Sequence, residues 1–269
     1  MTTEQQRITG STRLFAVIGD PVEQVQAPSM MNPLFARLGI DAVLVPAHAT
    51  PARLAAVVRG LQSTGNVDGL LVTVPHKRAV LDLADEVSPT AALSNGANAM
   101  RRAPGGRWRA DNFDGEGFVR GLRAAGHEPA GRHVRLVGAG GAGSAIAVSL
   151  LSAGAELTVT DRDERRVRTL IERLSPHFPG RLHSAAGPGA ADLVVNATPL
   201  GMRPEDPLPF DPALLPSSTV VVDIVMKPRR TALLRRAEKH GLVVHHGAAM
   251  LAHQLDLYVD FFGLGTRLA

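Results

Sequence analysis

Arg135-Leu-Val-Gly138-Ala-Gly140-Gly-Ala-Gly143 decides the fold of this chain. An apolar run enters three glycines spaced G-x-G-x-x-G, and a helix-compatible stretch, 144–153, follows. Glu156-Leu-Thr-Val-Thr-Asp161 then reads as a second strand closed by an acidic residue. In that strand–turn–helix–strand setting each glycine has a task. Gly138 permits the tight turn, Gly140 lets backbone approach a pyrophosphate, and Gly143 lets the helix pack close to the strand. The helix amino terminus offers free N–H groups and a positive dipole end to phosphates. Gly138, Ala139, Gly140, Gly141 and Ala142 are therefore candidate cofactor residues. A glycine-rich turn without a ligand is the bland alternative, and the flanking strands and Asp161 argue against it.

Outward from this unit, strands and helices alternate. Towards the carboxyl end, strands are expected at 192–196, 219–225 and 242–245, with helices at 163–174, 230–240 and 250–262. Residues 187–189 and 203–216 read as loops. Towards the amino end, 13–19, 42–46 and 69–74 read as buried strands and 28–38 and 52–61 as helices, with a short helix after Lys77. Residues 95–112 hold short strand-like pieces around Gly105-Gly106, and 114–125 reads as a helix. The pattern predicts an α/β protein of two α/β domains flanking a cleft. Residues 1–113 form the substrate-binding domain, with 247–269 packing back on it, and 114–246 the Rossmann dinucleotide-binding domain.

Bulk composition narrows the function classes. The 269 residues hold 45 % hydrophobic and 20 % charged residues and no cysteine, which removes disulfides, thiol catalysis and zinc–thiolate sites. The polar start, 1–10, lacks an apolar leader core, and no run nears the roughly 18 apolar residues of a membrane span. A soluble cytoplasmic protein without a membrane partner is the expectation. Net charge is only +4 and aromatics are 4 %, with arginines scattered over helical segments. That pattern suits solvated helix faces better than a nucleic-acid stripe, so no nucleic-acid partner is expected. His245, His246 and His253 lack the carboxylates of a metal site, and no metal is expected. A monomer or a homodimer is the expected assembly.

Polar residues at strand ends in the first domain suggest the chemistry. Lys77 closes Leu71-Val-Thr-Val-Pro-His, Asn98 sits in Gly96-Ala-Asn-Ala, and Asp114 follows Asp111-Asn-Phe. Opposite a dinucleotide site, that set suits dehydrogenation of a polyol or hydroxy acid, because the departing hydroxyl proton needs a base. A lysine oriented by a carboxylate is such a base. A solvated surface lysine and a turn-capping asparagine are the plain alternatives.

At these residues the chain resembles the shikimate dehydrogenase family over nearly its whole length. The matching pieces are Gly19-Asp-Pro21 with Pro28 and Asn32, Val72-Thr-Val-Pro-His-Lys77, Gly96-Ala-Asn98 and Asn112-Phe-Asp114 with Gly117-Phe118. Gly138-Ala-Gly-Gly-Ala142, Asn196-Ala-Thr-Pro-Leu-Gly-Met202, Asp223-Ile-Val-Met-Lys-Pro228 and Gly247-Ala-Ala-Met-Leu-Ala-His-Gln254 complete the series. The resemblance implies that Lys77 and Asp114 are the catalytic pair and that Thr73, Asn98 and Gln254 contact substrate hydroxyls. It further implies that Ala197, Thr198, Ile224, Val225 and Gly247 border the cofactor.

The departures are equally specific. Where the family has Gly-x-Pro-x-x-His-Ser-x-Ser-Pro, Gln24 replaces the histidine, and Val25 and Ala27 replace two serines that hold a substrate carboxylate. A hydrogen bond to a charged group contributes roughly 1.5–3 kcal/mol, so losing two weakens carboxylate binding by orders of magnitude. Met226 stands for a tyrosine, Ala99 for a threonine and Leu71 for an asparagine. Gln24 and Gln26 are candidate replacement donors. The expected function is an NAD(P)-dependent dehydrogenase of a cyclic or polyol alcohol, probed at Val25 and Ala27 and not optimised for shikimate. Shikimate or quinate dehydrogenation is the alternative, and a catalytically weak dinucleotide-binding module the third reading. For the cofactor, NAD is favoured over NADP. Asp161 stands where NADP-using members have asparagine, and a carboxylate there accepts ribose hydroxyls and repels a 2′-phosphate. Arg162, Arg165 and Arg166 pull the other way.

Overall fold

The computed structural model describes residues 8–184 and 191–265, so the loop expected at 187–189 lies outside the described residues. The chain divides into two units, residues 1–113 with 255–269, and residues 114–254.

The first unit is built on a six-stranded mixed sheet. Its strands are β1 (Arg13–Gly19), β2 (Ala42–His48), β3 (Val67–Val72), β4 (Glu86–Val87), β5 (Ala99–Arg102) and β6 (Trp108–Asp111), in the order β2-β1-β3-β5-β6-β4. The β1, β2 and β3 strands run parallel; β5 is antiparallel to β3 and β6. Helices α1 (Ala27–Arg37), α2 (Leu54–Ser63) and α3 (Pro89–Ser94) belong to this unit. Alternation along β1 sends Ala16 and Ile18 to one core layer with Leu70, Val72 and Met100, and Phe15 and Val17 to the other with Met31, Phe35 and Leu44. Tyr258 and Phe262, from far along the chain, complete that second layer. Fully burying such a side chain contributes about 1.5–3 kcal/mol, so the last helix is a structural part of this unit.

The second unit holds α4 (Asp114–Ala124), β7 (His133–Val137), α5 (Gly141–Ser152), β8 (Glu156–Thr160), α6 (Glu164–Leu174), β9 (Leu182–Ser184), β10 (Leu193–Asn196), β11 (Val220–Asp223), α7 (Ala232–Lys239) and β12 (Val243–His246). The strand order is β12-β11-β10-β7-β8-β9, with every pairing parallel. That is the doubly wound order, whose direction reverses between β7 and β10; ligands bind at such a point, outside the carboxyl ends of the strands. Strands with apolar neighbours on both faces are continuous valine runs here, as in Val-Val-Val-Asp223.

The last helix, α8 (Ala248–Phe261), is shared, because the division falls at Gln254/Leu255 rather than at 246/247 as expected from sequence. Two glycines of α4 explain the shift. A Cβ on Gly117 would lie 2.7 Å from the Met250 carbonyl oxygen, and one on Gly121 3.2 Å from the Ala249 Cβ. Their absence lets the first turns of α8 press against α4. Elements not foreseen are β4, α3 and β9, each six residues or shorter. The α3 start was nonetheless signalled, since Ser88 accepts the Ala91 N–H and Pro89 opens the helix.

Candidate active site and dinucleotide cleft

At the carboxyl ends of β7, β8 and β10 lies a cleft of about 380 Å³, with Gly138, Gly140, Asp161, Arg162, Ala197 and Thr198 among its lining residues. Six residues expected at a cofactor from sequence thus line one cleft. Gly138 has φ +109°, and a Cβ there would meet the Ala197 carbonyl carbon at 2.9 Å. A Cβ on Gly143 would collide with the Gly138 carbonyl oxygen, which is how α5 approaches the strand. Around Gly140 there is open space. Gly141 and Ala142 form the first turn of α5, where backbone N–H groups have no intrahelical acceptor. This cradle fits a dinucleotide pyrophosphate.

Asp161 does local work as well. One carboxylate oxygen accepts the Ala139 N–H at 2.8 Å, and the other accepts the Asp163 N–H at 2.9 Å. The side chain therefore ties the end of β8 to the glycine turn, while Asp163 caps α6 by accepting the Arg165 N–H. Arg162 and Arg166 line the same cleft.

Ile224 and Gly247 do not line that cleft; they lie together past the ends of β11 and β12, where a Cβ on Gly247 would strike Ile224 backbone. Beneath them, Asp223 is fully buried, a residue that sequence reasoning quoted without assigning a role. It accepts from Asn196 Nδ2 at 3.0 Å, the Val225 N–H at 3.0 Å and Thr231 Oγ1 at 2.7 Å. Burial pushes its carboxyl above the usual carboxylate range, against the pull of these donors.

In the first unit, Thr73 follows β3, and its N–H donates to the Ile18 carbonyl while its own carbonyl accepts the His76 N–H. Lys77 is half-buried, and its carbonyl accepts the Ala97 N–H at 2.8 Å. Asn98 is 2 % exposed. Its Oδ1 accepts the Phe113 N–H at 2.9 Å and its Nδ2 donates to the Tyr258 hydroxyl at 3.0 Å. Tyr258 was not foreseen; only its position four residues beyond Gln254 on a helix hinted at it. Val25 and Ala27 belong to the apolar layer with Met31, Phe35 and Tyr258. The side-chain amides of Gln24 and Gln26 donate to the carbonyls of Pro21 and Gln24, inside the loop itself.

In the second unit, Asp114 is 4 % exposed at the start of α4, and its Oδ1 accepts from Gln254 Nε2 at 3.2 Å. The close α4–α8 approach at Gly117 brings Gln254 to it.

Residues 17–100 match the model of the shikimate dehydrogenase substrate binding domain. A shikimate dehydrogenase (NADP(+)) of Rubrobacter xylanophilus is 42 % identical over 256 residues, covering 92 % of this chain and 89 % of that protein. The chain belongs to the shikimate dehydrogenase family. It is an oxidoreductase that acts on a CH–OH donor with a nicotinamide dinucleotide. Among solved structures, the quinate dehydrogenase of Corynebacterium glutamicum in complex with NAD superposes with a TM-score of 0.84 at 31 % identity, over 96 % of this chain and 94 % of that one. The ligand-free 5-ketofructose reductase of a Gluconobacter strain gives 0.84 at 28 % identity, over 93 % and 92 %. No described helix is long and apolar enough to cross a membrane.

Proposed function

We propose that this family member reversibly oxidises a neutral cyclic or polyol alcohol, and that shikimate is not its best substrate. The observation that carries the reading is the apolar anchoring of Val25 and Ala27 in the first unit's core, where the family's carboxylate-holding hydroxyls are expected. Gln24 and Gln26 donate within their own loop and do not make up the loss. A relative that reduces 5-ketofructose, a neutral polyhydroxy ketone, supports this substrate class.

In this reading Lys77 takes the proton of the reacting hydroxyl, and Asp114 supports the charge that Lys77 then carries. Thr73, Asn98 and Gln254 orient substrate hydroxyls. The glycine cradle, with Ala197 and Thr198, holds the dinucleotide, and Ile224 and Gly247 border its nicotinamide, which when bound exchanges hydride with the carbinol carbon. For the cofactor the proposal is NAD over NADP. Its support is the Asp161 carboxylate, held in the cleft by two backbone N–H groups, whose charge opposes a 2′-phosphate. Arg162 and Arg166 act the other way, and the curated relative from Rubrobacter is named for NADP(+).

The test is initial rates with NAD and NADP on shikimate, quinate and uncharged cyclic polyols, and with NADH and NADPH on 5-ketofructose. Lys77→Ala is expected to lower kcat about 10²–10⁴-fold, the range for loss of a positioned proton acceptor. Asp161→Asn is expected to move the ratio of kcat/KM towards NADP by about tenfold, roughly 1.4 kcal/mol. Faster turnover of shikimate than of every neutral substrate overturns the proposed specificity. The second reading, shikimate or quinate dehydrogenation, is favoured by the name of the 42 % identical relative and gains that result.

A further inference from the structure

Asn98 is a candidate substrate contact whose amide is already committed within the protein fabric. Its carbonyl end must accept, because its partner there is a backbone N–H, that of Phe113. Its amino end therefore faces the Tyr258 hydroxyl, which accepts at 3.0 Å. A phenol is also a donor, so the amide plane is fixed by a fixed donor on one side and an acceptor-capable hydroxyl on the other. Both side chains are buried, at 2 % and 4 % exposure.

The ring of Tyr258 is itself immobilised. Phe113 stands edge-on to it, with centroids 5.7 Å apart and an 89° interplanar angle, and is also edge-on to Phe261 at 5.1 Å. Tyr258 packs in the same apolar layer as Val25 and Ala27, the loop that departs from the family pattern. One residue earlier, Asn112 Nδ2 donates to the Gly96 carbonyl at 2.7 Å, so 96–98 and 112–113 are laced together. Tyrosine at this place costs more to bury than phenylalanine unless its hydroxyl is bonded, and Asn98 Nδ2 supplies a donor to its oxygen.

We propose that Tyr258 is a positioning residue for substrate recognition, its buried hydroxyl setting the plane of the Asn98 amide against the Phe113 backbone. The inference rests on the reading of Asn98 as a substrate contact. Tyr258 acts through Asn98.

Tyr258→Phe removes one oxygen and leaves the ring contacts in place. The probe is whichever of shikimate, quinate, the uncharged cyclic polyols and 5-ketofructose the wild type turns over fastest. The expected result is a substrate KM raised about 5–13-fold, the effect of a hydrogen bond contributing about 1–1.5 kcal/mol, with the KM for dinucleotide unchanged. In a double-mutant cycle with Asn98→Ala, the double variant is expected to be no worse than Asn98→Ala alone, since both changes remove one arrangement. A purely structural tyrosine would lower the melting temperature and leave the KM split and the cycle additive. Unchanged substrate KM in Tyr258→Phe beside a raised KM in Asn98→Ala overturns this proposal alone, as does additivity. Unchanged KM in Asn98→Ala, or no turnover of any probe, overturns the site reading and this inference with it.

Discussion

His245 shows what crowding does to a proton. Its ring lies 6.2 Å from that of His127 and 6.4 Å from that of His246, and burial, with His127, His246 and His253 as like charges, pushes its pKa down to about 4. A base with a folded pKa below its ordinary 6.5 is stabilising while neutral. Its contribution is complete above pH 6.5 and is lost as pH falls towards 4. Asp223, raised by burial, has the opposite sign: its contribution is complete in acid and is lost as pH rises through its raised value. From pH 7 to 4 His245 therefore contributes a decline in unfolding free energy that Asp223 opposes, and His245→Gln is expected to remove that declining component; an unchanged slope contradicts the assignment. At this scale the sequence revealed residue types at strand ends, such as Lys77, Asn98 and Asp161. It did not reveal that Asn98 meets Tyr258, 160 positions away, or that Asp161 bonds the Ala139 N–H, because side-chain pairing depends on tertiary geometry.

Helix α4 carries glycine where propensity alone would choose otherwise. Alanine for glycine inside a helix is better by about 1 kcal/mol when nothing is in the way. Around Gly60 of α2 there is open space, whereas a Cβ on Gly117 meets the Met250 carbonyl oxygen and Gln254 Cγ. Overpacking costs about 1–3 kcal/mol, so the clash outweighs propensity. Gly60→Ala is expected to raise the melting temperature, and Gly117→Ala to lower it while disturbing the Gln254–Asp114 bond; chemical denaturation of both variants checks the opposed signs. The long apolar strands and amphipathic helices were legible from period and punctuation, with ends within a few residues. Strands β4 and β9, at two and three residues, are too short for any period to register. The glycines of α4 were visible, but which helix approached them was not.

For the whole molecule, the strand order of the second unit could be anticipated because a G-x-G-x-x-G turn inside a βαβ unit belongs to few architectures. The place where the chain divides could not, since it depends on packing of α8 against α4. With two units, a single melting transition is not guaranteed. A saturating dinucleotide at 100 times its Kd adds about 2.7 kcal/mol to whatever binds it. If the cradle from Gly138 to Ala142 is the binding site, calorimetry is expected to show the transition of the second unit rising with NAD. Gly138→Val is expected to abolish that rise.

The first unit is discontinuous: the chain leaves it at Phe113 and returns at Leu255, bringing Tyr258 and Phe262 into the layer of Phe15 and Phe35. During synthesis, which proceeds from the amino end, the ribosome therefore releases the first unit's strands before the helix that seals them exists. Phe15, Phe35 and their neighbours wait, partly uncovered, through the translation of the whole second unit. At about 5–20 residues per second that delay is on the order of ten seconds. Apolar surface is therefore expected to stay open to chaperones over this interval, and the unit begun first is expected to be the last completed.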